Sequence, residues 1–129
     1  MTMKVKLVNR TQDLGQEKIR VIQEFIKFAQ ESSPLRRPII INLLNARMGG
    51  MTTGEETPGN IKVLASGRML NDILRTIGHE WTHEFATQRK IKLSNDNKEF
   101  QESLANTEAG IMVRMFEKKY PEFNAILYS

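Results

Sequence analysis

The chain has 129 residues, 40% hydrophobic and 26% charged, the size and make-up of a single globular domain spanning 1–129 that can bury its own core. It contains no cysteine, which excludes disulfide frameworks, thiol nucleophiles, zinc fingers and iron–sulfur ligation, and no apolar run nears the ~20 residues of a membrane span. Lys and Arg number 19 against 15 Asp and Glu, a net charge of +4; the basic residues are scattered, so the charge alone points to no nucleic-acid partner. Met1 to Val8 has no apolar stretch of secretory length, and a cytoplasmic protein without membrane partners is expected.

The first periodic segment is Gln16 to Glu31. Ile19, Ile22, Phe25, Ile26 and Ala29 recur at helical spacing, Val21 and Phe28 widen the apolar face, and Asp13 with Gln16 predicts a capping box. Ser32, Ser33 and Pro34 end this helix. Ile39 to Leu44, Ile-Ile-Ile-Asn-Leu-Leu, reads as a short strand buried on both faces. Met48 to Asn60 is rich in Gly and Thr and predicts a loop with a short strand around Met51 to Thr53 and a turn over Glu55 to Asn60. It lacks the G-x-x-x-x-G-K-[ST] pattern of a phosphate loop. Ile61 to Ala65 alternates as a half-exposed edge strand would.

Ser66 and Gly67 mark the entry to a long helix, Arg68 to Arg89, with Leu70, Ile73, Leu74, Ile77, Trp81 and Phe85 in one apolar stripe. A polar stretch, Lys92 to Lys98, leads to a last long helix, Lys98 to Lys119, stopped by Pro121. The tail from Pro121 to Ser129 carries Phe123, Ile126, Leu127 and Tyr128, an apolar content that predicts packing back onto the body.

The chain has two histidines, His79 and His83, and they frame His79-Glu80-Trp81-Thr82-His83. On a helix, positions four apart share a face, so both imidazoles can reach one ion, while Glu80, about 100° away, can flank that ion and hold a water. A helical histidine pair is commonly only a surface feature. Against that, two histidines falling four apart with a following Glu is about a one-in-a-thousand arrangement. They also lie opposite the Ile77/Trp81 stripe, in mid-helix. A catalytic zinc takes three protein ligands and keeps one open position. Without a third histidine or a cysteine, the remaining ligand is Asp or Glu, and the last helix offers Glu99, Glu102 and Glu108. Its phase favours Glu102. Phe100, Leu104, Thr107, Ile111 and Met115 form one face, and Glu102, Asn106, Ala109 and Val113 another, on which a carboxylate is expected to be buried and to need a cation.

Glu102-Ser103-Leu104-Ala105-Asn106 resembles the E-x-x-A-[D/N] motif of gluzincin zinc metallopeptidases, in which a glutamate helix follows the H-E-x-x-H helix. Ile73 to His83 with Glu102 to Gly110, including Ala105, Asn106 and Ala109, is most similar to the small ImmA/IrrE-like and phage-encoded minimal members; Leu104 stands where their signature has an acid. The likeness covers residues 60 to 116. It implies that Glu102 is the third zinc ligand, that Asn106 orients a ligating histidine, and that the strand before the active-site helix, Ile61, Lys62, Val63, Leu64 and Ala65, pairs with extended peptide substrate. An edge blunted by Lys62 and covered by a loop explains those residues equally well. Larger gluzincins add a Tyr, His or Arg that stabilises the oxyanion; Arg114, Tyr120 and Tyr128 are the residues at hand, each more commonly structural.

The expectation is an α+β, minimal zincin-like domain: a small mixed sheet of two to four strands on an N-terminal helix, an H-E-x-x-H helix and a glutamate helix. Its expected function is hydrolysis of a protein or peptide substrate by a Zn²⁺-activated water, with His79, His83 and Glu102 as ligands and Glu80 as general base. The setting is the cytoplasm, of a host if the chain is phage-encoded, or a virion. The competing expectation is a metal-stabilised, non-catalytic interaction or virion-associated protein. Nucleic-acid binding rests on net charge alone.

Overall fold

The computed structural model describes residues 4–46, 49, 51–90 and 98–129. In chain order they form β1 (Val5–Asn9), α1 (Gln16–Ser32), β2 (Ile39–Leu44), β3 (Gly54–Thr57), β4 (Asn60–Leu64), α2 (Leu70–Gln88), α3 (Lys98–Lys119), a 3₁₀ turn (Pro121–Phe123) and α4 (Asn124–Leu127). This is an α+β fold. Its mixed four-stranded sheet has the order β1-β2-β4-β3, with β1, β2 and β4 parallel and β3 antiparallel to β4.

Register explains the core. Ile41 sits beside Ile61 and Leu43 beside Val63, and these four side chains, fully buried, make one face of the sheet a continuous apolar layer. Val21, Ile22, Phe25 and Ala29 of α1 and Ile73, Leu74, Ile77 and Trp81 of α2 close the same cluster. On the other face Asn42 is covered too; its Nδ2 donates to Asn60 Oδ1 at 2.9 Å and its Oδ1 accepts from Arg10 Nε at 3.4 Å, which satisfies a polar group placed in a central strand. Trp81 Nε1 donates to Ser33 O at 2.8 Å, fixing α2 to the end of α1.

Helices α2 and α3 cross closely because small residues face each other. A Cβ placed on Gly78 would lie 3.3 Å from Ala109 Cα. The face of α3 turned inward carries Ala105, Ala109, Met112, Val113 and Phe116, and Phe116 meets Phe25 and Phe28 edge-on at 5.3 and 5.7 Å. The tail folds back, with Leu127 fully buried, Phe123 and Ile126 against the core, and Ser129 O accepting from Lys18 Nζ at 2.8 Å.

Several local expectations are corrected. The strand expected at Met51 to Thr53 lies at Gly54–Thr57, and the turn narrows to Pro58 and Gly59, where Gly59 has φ +80°. Asp13 does not cap α1, whose N-cap is Gly15 without a side-chain bond. Its carboxylate instead accepts from Ser66 Oγ at 2.6 Å and Gly67 N at 3.2 Å, holding the turn into α2. Ile61 to Ala65 is not an edge, because its strand lies between β2 and β3. The alternation that suggested an edge reflects the sheet's two faces, with Ile61 and Val63 inward and Lys62 and Leu64 half-exposed. β1 pairs with β2 from Val5 to Asn9, a strand that the periodicity does not predict. The stretch expected to link the last two long helices lies, apart from Lys98, outside the described residues, as do Met48 and Gly50. No described helix is long and apolar enough to cross a membrane.

Candidate metal centre

Helical geometry sets His79 and His83 along the side of α2 that faces away from the Ile77/Trp81 stripe, with Glu80 about 100° from His79 on the flank, and the close α2–α3 crossing brings Glu102 over the histidines. His79 Nε2 lies 2.9 Å from Glu102 Oε2, His83 Nε2 lies 3.0 Å from Glu102 Oε1, and the two Nε2 atoms are 3.2 Å apart. A tetrahedral ion with Zn–N and Zn–O bonds of about 2.0–2.1 Å holds its donors about 3.3 Å apart. The three donors therefore already stand near the spacing a single zinc requires. Their lone pairs converge, an arrangement that a cation or shared protons must resolve.

Protonation follows from the neighbours. Asn106 Oδ1 can only accept, so His79 Nδ1–H donates to it at 2.8 Å, and in the neutral ring it is Nε2 that carries the lone pair toward Glu102. Burial holds the His83 imidazole below its ordinary pKa, which favours the neutral form that binds metals. Glu102 is not buried as its helix face suggested. Its side chain is 50% exposed, because it stands at the mouth of a cleft while Ala105 and Ala109 make the buried contact with α2.

Glu80 is only 7% exposed. One of its carboxylate oxygens and a ring nitrogen of each histidine lie within 4.8 Å of one another, close enough to share a water with an ion at the centre without ligating it. Burial, then the negative charges of Glu102, Glu56 and Glu55, push its pKa up to about 7, the range in which a carboxylate both takes and returns a proton at neutral pH. Gly54 of β3 lies directly on it. A Cβ there would come 2.8 Å from Glu80 Oε2 and 2.6 Å from Thr76 Cγ2.

Glu80 belongs to a polar stripe, Thr76, Glu80, Glu84 and Gln88, buried along α2. Glu84 accepts from Gly59 N at 3.0 Å and from Gln88 Nε2 at 2.9 Å, and Gln88 Oε1 accepts from Arg36 N and Arg37 N at 2.5 and 2.9 Å. Glu56 of β3 accepts from Thr87 Oγ1 at 3.0 Å; burial and a hydrogen bond shared with Glu84 push its pKa up to about 7. These bonds fix β3 and the β3–β4 turn to the side of α2.

The resulting cleft, about 1080 Å³, has Gly54, Glu55 and Glu56 of β3 on one wall, Glu102 and Asn106 of α3 on the other, and His79, Glu80 and His83 between them. β3 is the terminal strand of the sheet, so the strand edge beside the centre is β3 and not Ile61 to Ala65, none of which lines the cleft. Arg114 and Tyr120 do not line it either. Arg114 is exposed, and Tyr120 is tilted against Phe116 and stacked on Phe123 beside a separate groove against α1. Tyr128 donates its hydroxyl to Glu117 at 2.9 Å. Gly54, Arg68 and Glu84 are site residues that sequence reasoning missed. Glu84 alone left a signal, standing one turn after Glu80; the approach of β3 to α2 left none.

Searches against protein-family models, curated proteins and solved structures found no match to this chain.

Proposed function

We propose that the protein is a zinc-dependent peptidase of gluzincin type, acting on a protein or peptide substrate in the cytoplasm. One observation carries the reading: two imidazole Nε2 atoms and a carboxylate stand within 3.2 Å of one another beside a buried carboxylate with a pKa near 7. His79, His83 and Glu102 would hold the zinc, and Asn106 keeps the proton of His79 on Nδ1. Zinc bound there would acidify a water and polarise the scissile carbonyl. Glu80 takes the proton of the attacking water on its carboxylate and delivers it to the leaving amine nitrogen. An extended substrate lies along the edge of β3, whose backbone groups add it as a further strand.

A second reading, a metal-stabilised interaction protein without turnover, is favoured by one feature: Arg114 and Tyr120, the residues considered for oxyanion stabilisation, are absent from the cleft lining. A peptide-library cleavage assay on zinc-loaded protein separates the two. The peptidase cleaves, and Glu80→Gln lowers turnover by about 10²–10⁴-fold while zinc stays bound. No cleavage by zinc-replete wild type returns the protein to the second reading, and equal cleavage by Glu80→Gln removes Glu80 from the mechanism.

A further inference from the structure

Arg68 precedes α2 and lines the same cleft. Its Nη1 donates to Leu64 O at 2.7 Å, and its Nη2 donates to Asp72 O at 3.2 Å and Thr76 Oγ1 at 3.0 Å. All three acceptors are uncharged. The ion pairs among the described residues involve Lys27, His79, His83 and Lys119, not Arg68; the Asp72 side chain acts on the guanidinium only from beyond pairing distance. A guanidinium offers five N–H donors in a planar fork suited to carboxylates, so donors remain for a ligand. A half-buried cation held rigidly by neutral groups and facing a cleft is a preorganised anion site.

Its distance from the metal centre defines what it would read. Thr76, which Arg68 holds, is one turn before Glu80 and packs under Gly54. A turn advances about 5.4 Å, the guanidinium stands 3.0 Å beyond Thr76 Oγ1, and an extended peptide advances about 3.3 Å per residue, which puts the guanidinium at least about two substrate residues from a carbonyl at the centre. The charge around the cleft gives a direction. Glu55, Glu56, Glu80 and Glu102, with Lys98, line the metal end, whereas Arg68 and Arg75, with Asp72, line the cleft toward the start of α2, where cations outnumber carboxylates. An anionic group is favoured at that second end.

We propose that Arg68 forms a subsite for a substrate carboxylate, at least about two residues from the scissile bond. This rests on the peptidase reading, and the carboxylate is either an Asp/Glu side chain or a peptide C-terminus. The test uses zinc-loaded full-length protein and matched peptides: Glu against Gln at each position near the cleaved bond, and a C-terminal acid against its amide. Wild type prefers the carboxylate member of at least one pair, and that pair identifies the source. Arg68→Gln lowers the acid-to-neutral ratio of kcat/KM at least about tenfold, mainly through KM. Calorimetric binding of the preferred peptide to zinc-loaded Glu80→Gln protein, with and without Arg68→Gln, gives the same comparison without turnover; the acidic member of each pair serves if nothing is cleaved. Should Arg68→Gln fail to fold, Arg68→Lys replaces it and reduces the preference several-fold, because an ammonium keeps the charge and loses the fork. Cleavage with no carboxylate preference, or a preference that survives at position 68, overturns the subsite and leaves the peptidase standing. Absence of cleavage defeats the peptidase, and binding that ignores Arg68 then overturns the subsite as well.

Discussion

Helices α2 and α3 meet at the same centre and break amphipathic patterning in opposite ways. α2 buries Thr76, Glu80, Glu84 and Gln88 on one side as thoroughly as Ile73, Leu74, Ile77 and Trp81 on another, whereas α3 leaves Phe100, Leu104, Ile111 and Met115 exposed and buries Ala105, Ala109, Met112, Val113 and Phe116. A buried polar stripe stands only where acceptors and donors meet it: Arg68 donates to Thr76, the β3–β4 turn to Glu84 and the Arg36–Arg37 backbone to Gln88. α2 is thus fixed from two sides, and α3 from one. The chemistry sits where they touch: the rigid helix carries the histidines and Glu80, and the half-exposed one brings Glu102 to the cleft mouth.

The largest effect that can break this comparison concerns the two faces of α3. Phe116→Ala removes a ring packed on Phe25 and Phe28 and should cost about 3–5 kcal/mol in a urea titration. Phe100, 64% exposed, should change stability by less than about 0.5 kcal/mol when replaced by Ala. Similar costs at both positions would mean that the outer face of α3 is packed in solution.

A smaller effect tests the buried stripe of α2. Glu80 and Glu56 have pKa values near 7 in the folded chain against an ordinary 4.5. Between those values the native state binds more protons than the unfolded one, so the metal-free protein should lose stability as pH rises from about 4.5 to 7, with Glu80 contributing on the order of 2 kcal/mol. Asp13, held below its ordinary value by Ser66, acts with the opposite sign below pH 4, outside this window. Urea midpoints of chelated protein that rise across the window would show these carboxyls to be solvated.

How much of this was legible follows from the range of each interaction. The facing of His79, Glu80 and His83 depends on helical period alone, and Glu102 and Asn106 lie one turn apart on α3, so both sets could be placed before the fold. The relation between sheet and helix could not. Nothing local separates a central strand at Ile61 to Leu64 from an edge, and the need for glycine at position 54 arises from Thr76 and Glu80, over twenty residues away. β1 is short and half-buried, and only its pairing with β2 defines it. Asp13 was assigned to the nearest helix when its partners lie across the fold. The phase of α3 identified Glu102 but overstated its burial, because phase fixes a direction around the helix and not the opening of a cleft at its N-terminal end.

The central claim is that one zinc is held between the two helices by His79, His83 and Glu102, and zinc affinity measured by competition with a chromophoric chelator tests it most directly. Wild type should bind one zinc per chain. Asn106→Ala should weaken binding by about 10–100-fold, as loss of a partner that orients a ligand does, and Glu102→Ala should weaken it more. Glu99→Ala and Glu108→Ala should leave it unchanged. Substoichiometric zinc in the wild type, or a loss at Glu108 that matches the loss at Glu102, would contradict the account.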